Sequence, residues 1–142
     1  MKKLNSIVDD PYLNDDMCIE RLYENWKLHN GIIIAFDFDN TVFDYYSKGY
    51  TYDKVITLLK ECKNMGCTLI LSTCCDETKY EFIENKCKEI GINVDYINES
   101  PPYIPFTGNK IYYNIMLDDR AGLSAAYKIL HKTKEKIKNE TF

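Results

Sequence analysis

The chain alternates between short runs of consecutive apolar residues and longer stretches in which apolar residues recur every three or four positions. The first pattern is typical of strands buried on both faces, and the second of amphipathic helices. Strands are predicted over residues 32–37, 67–73, 92–97 and 111–117, and helices over residues 14–30, 52–65, 76–90 and 123–138. This alternation predicts an α/β fold with a parallel, doubly wound sheet of about four core strands and right-handed crossovers.

Three local features refine this picture. The first helix has an apolar stripe, and Thr51 is predicted to cap the second helix. The aromatic segment 42–50 ends at a glycine and predicts a small flap. The proline-rich segment 98–105 has no helical pattern and predicts a rigid loop between the third and fourth strands. The apolar stripe of the first helix consists of Met17, Leu22, Tyr23 and Trp26.

Composition places the chain among ordinary globular proteins. Its 142 residues predict one domain, in which the tail and helix of residues 1–30 pack on a core formed by residues 31–142. The net charge of −4 disfavours a general nucleic-acid binder. No stretch reaches the ~20 apolar residues of a membrane span, so no membrane partner is expected.

The location of the protein is predicted from its beginning and its cysteines. Residues 1–6 contain two lysines, but no apolar segment of a secretory signal follows them. The six cysteines show no zinc-binding spacing. Reduced thiols in a cytoplasmic protein are therefore expected.

Paired acids follow two of the predicted strands. Asp37 and Asp39 come at the end of the first strand, and Asp118 and Asp119 at the end of the fourth. Neighbouring strand ends lie about 5 Å apart, so four carboxylates would require a cation there. Hard oxygen ligands select Mg²⁺. The alternative is two unrelated, solvated pairs of acids.

The segment Asp37-Phe38-Asp39-Asn40-Thr41 resembles the first motif of the haloacid dehalogenase-like (HAD) phosphohydrolases. The rest of the order also matches: a hydroxyl residue ends the second strand, a lysine follows later, and an acidic pair ends the fourth strand. The resemblance covers about residues 32–130. It is closer to small, often phage-encoded members, in which Tyr96-Ile97-Asn98-Glu99 and Leu117-Asp118-Asp119-Arg120-Ala121 have counterparts. It implies a Rossmann-like, three-layer fold without a cap domain.

The resemblance also implies an activity, that of a Mg²⁺-dependent phosphomonoesterase. It assigns Asp37 as the nucleophile that forms an aspartyl-phosphate, and Asp39 as general acid and base. Thr73 would hold the phosphoryl oxygens, and Lys110 would offset charge between nucleophile and phosphate. Four residues are implied as the Mg²⁺ site: Asp37, Asp39 through its carbonyl, Asp118 and Asp119.

A capless site would be open, which suits a phosphate at the end of a large molecule, or a cover lent by a partner subunit. The expected partner is a phosphorylated substrate, with a nucleotide or a nucleic-acid end favoured. The oligomeric state stays open, a dimer being one option. The residues expected to contact the substrate are Thr41, Cys74, Arg120, Tyr45 and Tyr46.

Two features of the surface leave alternatives open. Tyr45, Tyr46, Tyr50 and Tyr103 either stack on a base or pack the flap down. Residues 120–142 carry one arginine and five lysines against two glutamates, a net charge of +4. This charge either attracts a polyanion or complements the dipole of the last helix.

Two other functions also stay open. One is phosphotransfer to an acceptor other than water. The other is a catalytically weak phosphate-binding module, because Cys75 stands where similar sequences commonly have an arginine. Arg120 is the residue that could replace the missing cation.

Overall fold

The computed structural model describes residues 10–140, so most of the predicted N-terminal tail, residues 1–9, lies outside the described part. Within residues 10–140 there are four α-helices and four strands, in the order α-β-α-β-α-β-β-α. The helices are α1 Asp15–His29, α2 Asp53–Asn64, α3 Tyr80–Glu89 and α4 Leu123–Lys138. The strands are β1 Ile33–Asp37, β2 Thr68–Ser72, β3 Tyr96–Ile97 and β4 Ile115–Leu117. Short 3₁₀ turns, Pro11–Leu13 and Glu77–Lys79, precede α1 and α3.

The four strands form one parallel sheet in the order β3-β2-β1-β4. Strand β1 is central: Ile33 to Asp37 pair with Thr68 to Ser72 of β2, and Phe36 pairs with Leu117 of β4. The residues in the middle of β1, Ile34, Ala35 and Phe36, are completely buried. This confirms the predicted α/β class, and the sheet with its helices is consistent with a Rossmann-like three-layer fold.

The two faces of the sheet are covered differently. Ile34 and Phe36 belong to the main core, to which all four helices contribute side chains. Ala35 and Ile70 belong to a smaller core on the other face, where the covering residues come from segment 104–112 instead of a helix. Near the amino ends of β1 and β2 this segment borders a cavity of about 520 Å³. The predicted helix-free crossover therefore forms the third layer.

The first helix follows its predicted signals closely. The side chain of Asn14 accepts a hydrogen bond from the Met17 amide, and the helix ends at Asn30, which has a left-handed φ of 58°. Leu22, Tyr23 and Trp26 of its stripe are buried, but Met17 is 38% exposed. Met17 lies in the first turn, one turn before the packed part of the helix.

The prediction that Thr51 caps the second helix is wrong. Helix α2 begins at Asp53, and the residue before it is Tyr52, which has a left-handed φ of 56° and makes no side-chain capping bond. The helix is instead fixed by its buried face, which includes Val55, Leu58 and Leu59. Burial of one face therefore stabilises α2 without a side-chain N-cap.

The two edge strands are much shorter than predicted. Strand β3 has two residues and β4 three, because side chains take over the pairing beyond them. The amide of Leu69 donates to Asp95 Oδ2, the amide of Thr73 to Asn98 Oδ1, and the amide of Ile33 to Asn114 Oδ1, each at 2.8 Å. A carboxylate or amide oxygen here replaces a main-chain carbonyl.

Other sequence expectations concern cysteines and membranes. All six cysteines are free thiols, and Cys62, Cys67 and Cys87 are buried. Burial raises the pKa of the Cys87 thiol to about 12. Among the helices that the structure describes, none combines the length and the apolar character needed to cross a membrane.

We expect Gly31→Ala to lower the free energy of unfolding by about 1–3 kcal/mol. Gly31 has φ +140°, and a Cβ atom there would lie 2.3 Å from the carbonyl oxygen of Gly66, so backbone would have to move. Urea denaturation measures the change. The control is Gly108→Ala, because a Cβ at Gly108 meets nothing within 4 Å. Equal stability of the two variants would contradict this account of the Gly31–Gly66 contact.

Candidate active site

The candidate site lies at the carboxyl ends of β1 and β4. The order of the strands reverses at β1, since β2 and β3 lie on one side of it and β4 lies on the other. Open parallel sheets form a crevice at such a point. Asp37 is the last residue of β1, and the pairing of Phe36 with Leu117 brings Asp37 level with Asp118.

Three carboxylates meet in this crevice. Asp37, Asp118 and Asp119 each offer an oxygen atom, and these atoms all lie within 4.8 Å of one another. Oxygens on opposite sides of a Mg²⁺ ion lie about 4.2 Å apart, twice the metal–oxygen distance. The three acids thus fit a hard divalent cation after small side-chain adjustments. Among the described residues, the side chain of Asp39 is not part of this group.

A tight turn after β1 positions Asp39. The carbonyl oxygen of Phe38 accepts hydrogen bonds from the amides of Thr41, Val42 and Phe43, at 3.0–3.3 Å. The ring of Phe38 stacks on that of Phe43, with centroids 4.8 Å apart. Both rings anchor the turn in the core, so Asp39 projects from a rigid segment.

Thr41 links the two acidic strand ends. Its hydroxyl oxygen accepts a hydrogen bond from the Asp119 amide at 3.1 Å and lies 3.4 Å from carboxylate oxygens of Asp37 and Asp119. Thr41 has no exposed surface. It therefore positions the acids from behind, which corrects the expectation that it contacts the substrate.

Burial and mutual repulsion dominate the electrostatics of the acids. Burial first, then a hydrogen bond that the protonated Asp37 carboxyl donates to Asp119, and the negative charges of Asp118 and Asp119, raise the pKa of Asp37 to about 7. Burial and the charge of Asp119 also raise the pKa of Asp39. A cation among these groups would offset the repulsion and favour the ionised form of Asp37.

The other side of Asp37 is formed by the end of β2. Ser72 pairs with Asp37, so Thr73 follows beside the acidic cluster. The Thr73 hydroxyl accepts a hydrogen bond from the Cys75 amide at 3.1 Å, and Cys74 is exposed. The turn formed by residues 73–75 thus presents a hydroxyl group and an exposed backbone at the carboxyl edge of the sheet.

Asn98 was not among the residues expected in the site. It follows β3 with φ 53° and bonds to Thr73 through its side chain. Two signals could have found it: asparagine is enriched among residues with positive φ, and Asn98 lies in the segment Tyr96-Ile97-Asn98-Glu99 of the family resemblance. Its partner on β2 is determined by strand order and has no signature in the sequence.

The two expected cations are accessible. Arg120 directly follows the acids of β4, and Lys110 lies in the crossover before β4; both are exposed. Within residues 10–140 neither side chain makes a hydrogen bond or an ion pair. Their roles toward a phosphate stay predictions.

The flap presents its tyrosines to solvent. Asp44 closes the flap turn by accepting hydrogen bonds from the amides of Lys48 and Gly49. Tyr45 and Tyr46 are 56% and 63% exposed, and their rings meet edge to face at 5.0 Å. They contact each other and not the core, so the alternative that they pack the flap down is not what the structure shows.

Tyr103 belongs to a different part of the molecule. Its hydroxyl lies 2.8 Å from that of Thr68, the first residue of β2, whereas the acids lie at the opposite ends of the strands. The proline-rich segment thus returns to the amino edge of the sheet. Tyr103 therefore lies away from the acids, so it is not among the tyrosines that could stack on a base bound there.

Two lysines of α4 form ion pairs within the protein. Lys134 is buried and forms ion pairs with Glu61 of α2 and with Glu135. Lys136 pairs with Glu20 of α1 at 3.2 Å. These contacts tie α4 to α1 and α2.

No protein-family model and no curated protein sequence matches the chain. A solved structure, described as a conserved protein coded by a locus of Bacteroides thetaiotaomicron, is similar, with a TM-score of 0.58 and 22% sequence identity. The match covers 80% of this chain and 94% of that chain. At this identity the similarity shows a shared fold.

Removing the charge of Asp37 should stabilise the metal-free protein. With a folded-state pKa of about 7 against an unfolded value near 3.8, the folded state binds more protons between these values. The contribution of Asp37 to the free energy of unfolding therefore falls as pH rises from about 4 to about 7. In EDTA, Asp37→Asn should melt higher than wild type above pH 7, with little difference at pH 4. Each kcal/mol of relieved repulsion corresponds to about 2–4 °C.

The control for this comparison is Asp10→Asn, which neutralises an exposed carboxylate. It should leave the pH dependence of the melting temperature as in wild type. A constant offset between Asp37→Asn and wild type at all pH values would contradict the assigned repulsion.

Proposed function

We propose that this chain is a Mg²⁺-dependent phosphomonoesterase of the HAD-like type. The observation that carries the proposal is the meeting of Asp37, Asp118 and Asp119 at the carboxyl ends of two paired strands. It is supported by the sequence Asp37-Phe38-Asp39-Asn40-Thr41 and by the parallel sheet. A structural role alone gives no reason to bring three carboxylates, two of them half-buried, within 4.8 Å of one another.

Asp37, Asp118 and Asp119 would hold Mg²⁺ through carboxylate oxygens, with the carbonyl of Asp39 as a further ligand from the first turn. When bound, the ion neutralises negative charge on the phosphoryl group during transfer. The chain provides this site through Thr41, whose hydroxyl lies between Asp37 and Asp119.

In the first step, a carboxylate oxygen of Asp37 attacks phosphorus while the bond from phosphorus to the leaving oxygen breaks. Asp39 donates its proton to that oxygen, so an alcohol departs and an aspartyl-phosphate remains on Asp37. The raised pKa of Asp39 favours the protonated form that this step needs.

In the second step, Asp39 accepts a proton from a water molecule whose oxygen attacks phosphorus. The bond from phosphorus to the Asp37 oxygen breaks, which releases inorganic phosphate and restores the carboxylate. The rigid turn around the Phe38 carbonyl keeps Asp39 in place for both proton transfers.

The phosphoryl oxygens would be held from the opposite side by the Thr73 hydroxyl and the backbone of Cys74. Arg120, exposed next to the acids, is the cation best placed in sequence to compensate for Cys75. Lys110 is the alternative, and it would have to reach the site from the crossover.

A phosphate at the end of a nucleotide or nucleic acid is the proposed substrate class. The support is the exposed pair Tyr45 and Tyr46 on the flap, since aromatic rings stack on bases. In the described part of the chain, no helix or strand is inserted between β1 and α2 to close the site.

The proposal is tested by hydrolysis of p-nitrophenyl phosphate with Mg²⁺ and after EDTA treatment. Asp37→Asn should abolish turnover, because it removes the nucleophile, while the circular dichroism spectrum stays unchanged. The control is Asp10→Asn, which should keep wild-type activity. Phosphatase activity that persists in Asp37→Asn, or in EDTA, would exclude this mechanism.

Replacing Asp39 should separate its role in proton transfer from a role in metal binding. Asp39→Asn should slow hydrolysis of alkyl phosphates by about 10²–10⁴-fold, the usual value of general acid–base catalysis. Release of nitrophenolate should suffer less in the first turnover, because this leaving group needs no proton. Mass spectrometry should then detect phosphorylated Asp37, since the second step lacks its base. If Asp39→Asn lowers the rate equally on both substrates and no phosphorylated protein is found, Asp39 only supports the geometry of the metal site.

A further inference from the structure

The side chain of Asn98 makes three hydrogen bonds to two residues. Its Oδ1 accepts the hydrogen bond of the Thr73 amide at 2.8 Å. Its Nδ2 donates to the Thr73 carbonyl at 2.8 Å and to the Tyr80 hydroxyl at 2.9 Å. Asn98 thus binds both the N–H and the C=O of one residue, which fixes the peptide planes on both sides of Thr73.

Two other side chains, Asp95 and Asn114, also continue an edge strand, but they do so elsewhere. Asp95 binds the amide of Leu69, and Asn114 that of Ile33, both at the amino ends of the strands. Asn98 acts at the carboxyl end, where Ser72 pairs with Asp37. It is therefore the member of this set that lies next to the acids.

This arrangement determines which donors are left for an anion. The Thr73 amide is occupied by Asn98, and the Thr73 hydroxyl oxygen accepts from the Cys75 amide, which leaves the hydroxyl proton available. Within residues 10–140, the Cys74 amide donates no hydrogen bond. The Thr73 hydroxyl and the Cys74 amide are thus two donors on a turn whose geometry Asn98 fixes.

We infer that Asn98 is a positioning residue, which aims the Thr73 hydroxyl and the Cys74 amide at the phosphoryl oxygens. The inference rests on the proposed function, since it assumes that residues 73–75 bind phosphate. Asn98 itself has no N–H donor left for the phosphoryl oxygens of a substrate, because both Nδ2 hydrogens are engaged. It acts through Thr73, which both its Oδ1 and its Nδ2 contact.

The test replaces Asn98 by glycine, which tolerates the left-handed φ and removes only the side chain. The matched control is Asn114→Ala, which removes the equivalent clamp from Ile33 at the other end of the sheet. Both variants should melt below wild type. Asn98→Gly should lower kcat/KM for p-nitrophenyl phosphate and the affinity for inorganic phosphate about tenfold or more, the effect of one misplaced hydrogen bond to a charged group. Asn114→Ala should keep both values within twofold of wild type.

A second measurement does not depend on turnover. Titration of Mg²⁺-loaded wild type with inorganic phosphate should shift the amide NMR signals of Thr73 and Cys74, and these shifts should be lost in Asn98→Gly. Shifts without any hydrolysis would reject the phosphatase proposal and keep the role of Asn98. Absent shifts in wild type, or equal losses of kcat/KM in Asn98→Gly and Asn114→Ala, would overturn the inference.

Discussion

Strand β1 is enclosed by protein on both faces and paired along both edges, and it ends in a carboxylate. The completely buried residues Ile34, Ala35 and Phe36 can be accommodated only if helices cover one face and segment 104–112 the other. Asp37 therefore emerges from the most buried part of the molecule into a crevice shared with β4. Because burying an ionised carboxylate is costly, the residues around the end of β1 have to compensate for the charge of Asp37.

The surroundings of Asp37 compensate for that cost only in part. Thr41 is buried behind the acids and hydrogen-bonded to the backbone of Asp119. Nothing cationic among the described residues is ion-paired to Asp37, Asp118 or Asp119, and the pKa of Asp37 is raised accordingly. A site that stays electrostatically uncompensated in the folded chain is suited to a ligand that brings positive charge. Protonation of Asp37 and binding of a cation would each reduce the repulsion among the three carboxylates.

The edge strands β3 and β4 are short, and side chains bind the ends of the longer central strands in their place. Asp95, Asn98 and Asn114 replace main-chain acceptors where β3 and β4 end. Lys63 strengthens one of these clamps, because its ammonium group lies 2.6 Å from Asp95. At the carboxyl edge, the hydrogen bonds of Asn98 also determine the position of Thr73, which lies beside the acids. Stability and the geometry of the candidate site thus depend on the same kind of contact.

The sequence alone determined the features that are encoded by local patterns. Apolar runs identified the buried strands, periodicity identified α4 with its observed bounds Leu123–Lys138, and the acids were correctly placed after β1 and β4. These predictions succeed because the burial of a residue and the end of a strand leave a signal within a few positions. The proline-rich segment 98–105 likewise predicted that the crossover before β4 contains no helix.

Only the tertiary structure decided which distant residues meet. The burial of Thr41, the engagement of Thr73 by Asn98 and the ion pair of Lys134 with Glu61 all join segments whose spacing in the sequence carries no signal. The path of segment 98–112 to the amino edge also decided that Tyr103 lies away from the acids. Strand order and register determine these contacts, and side chains can end strands earlier than apolar runs suggest.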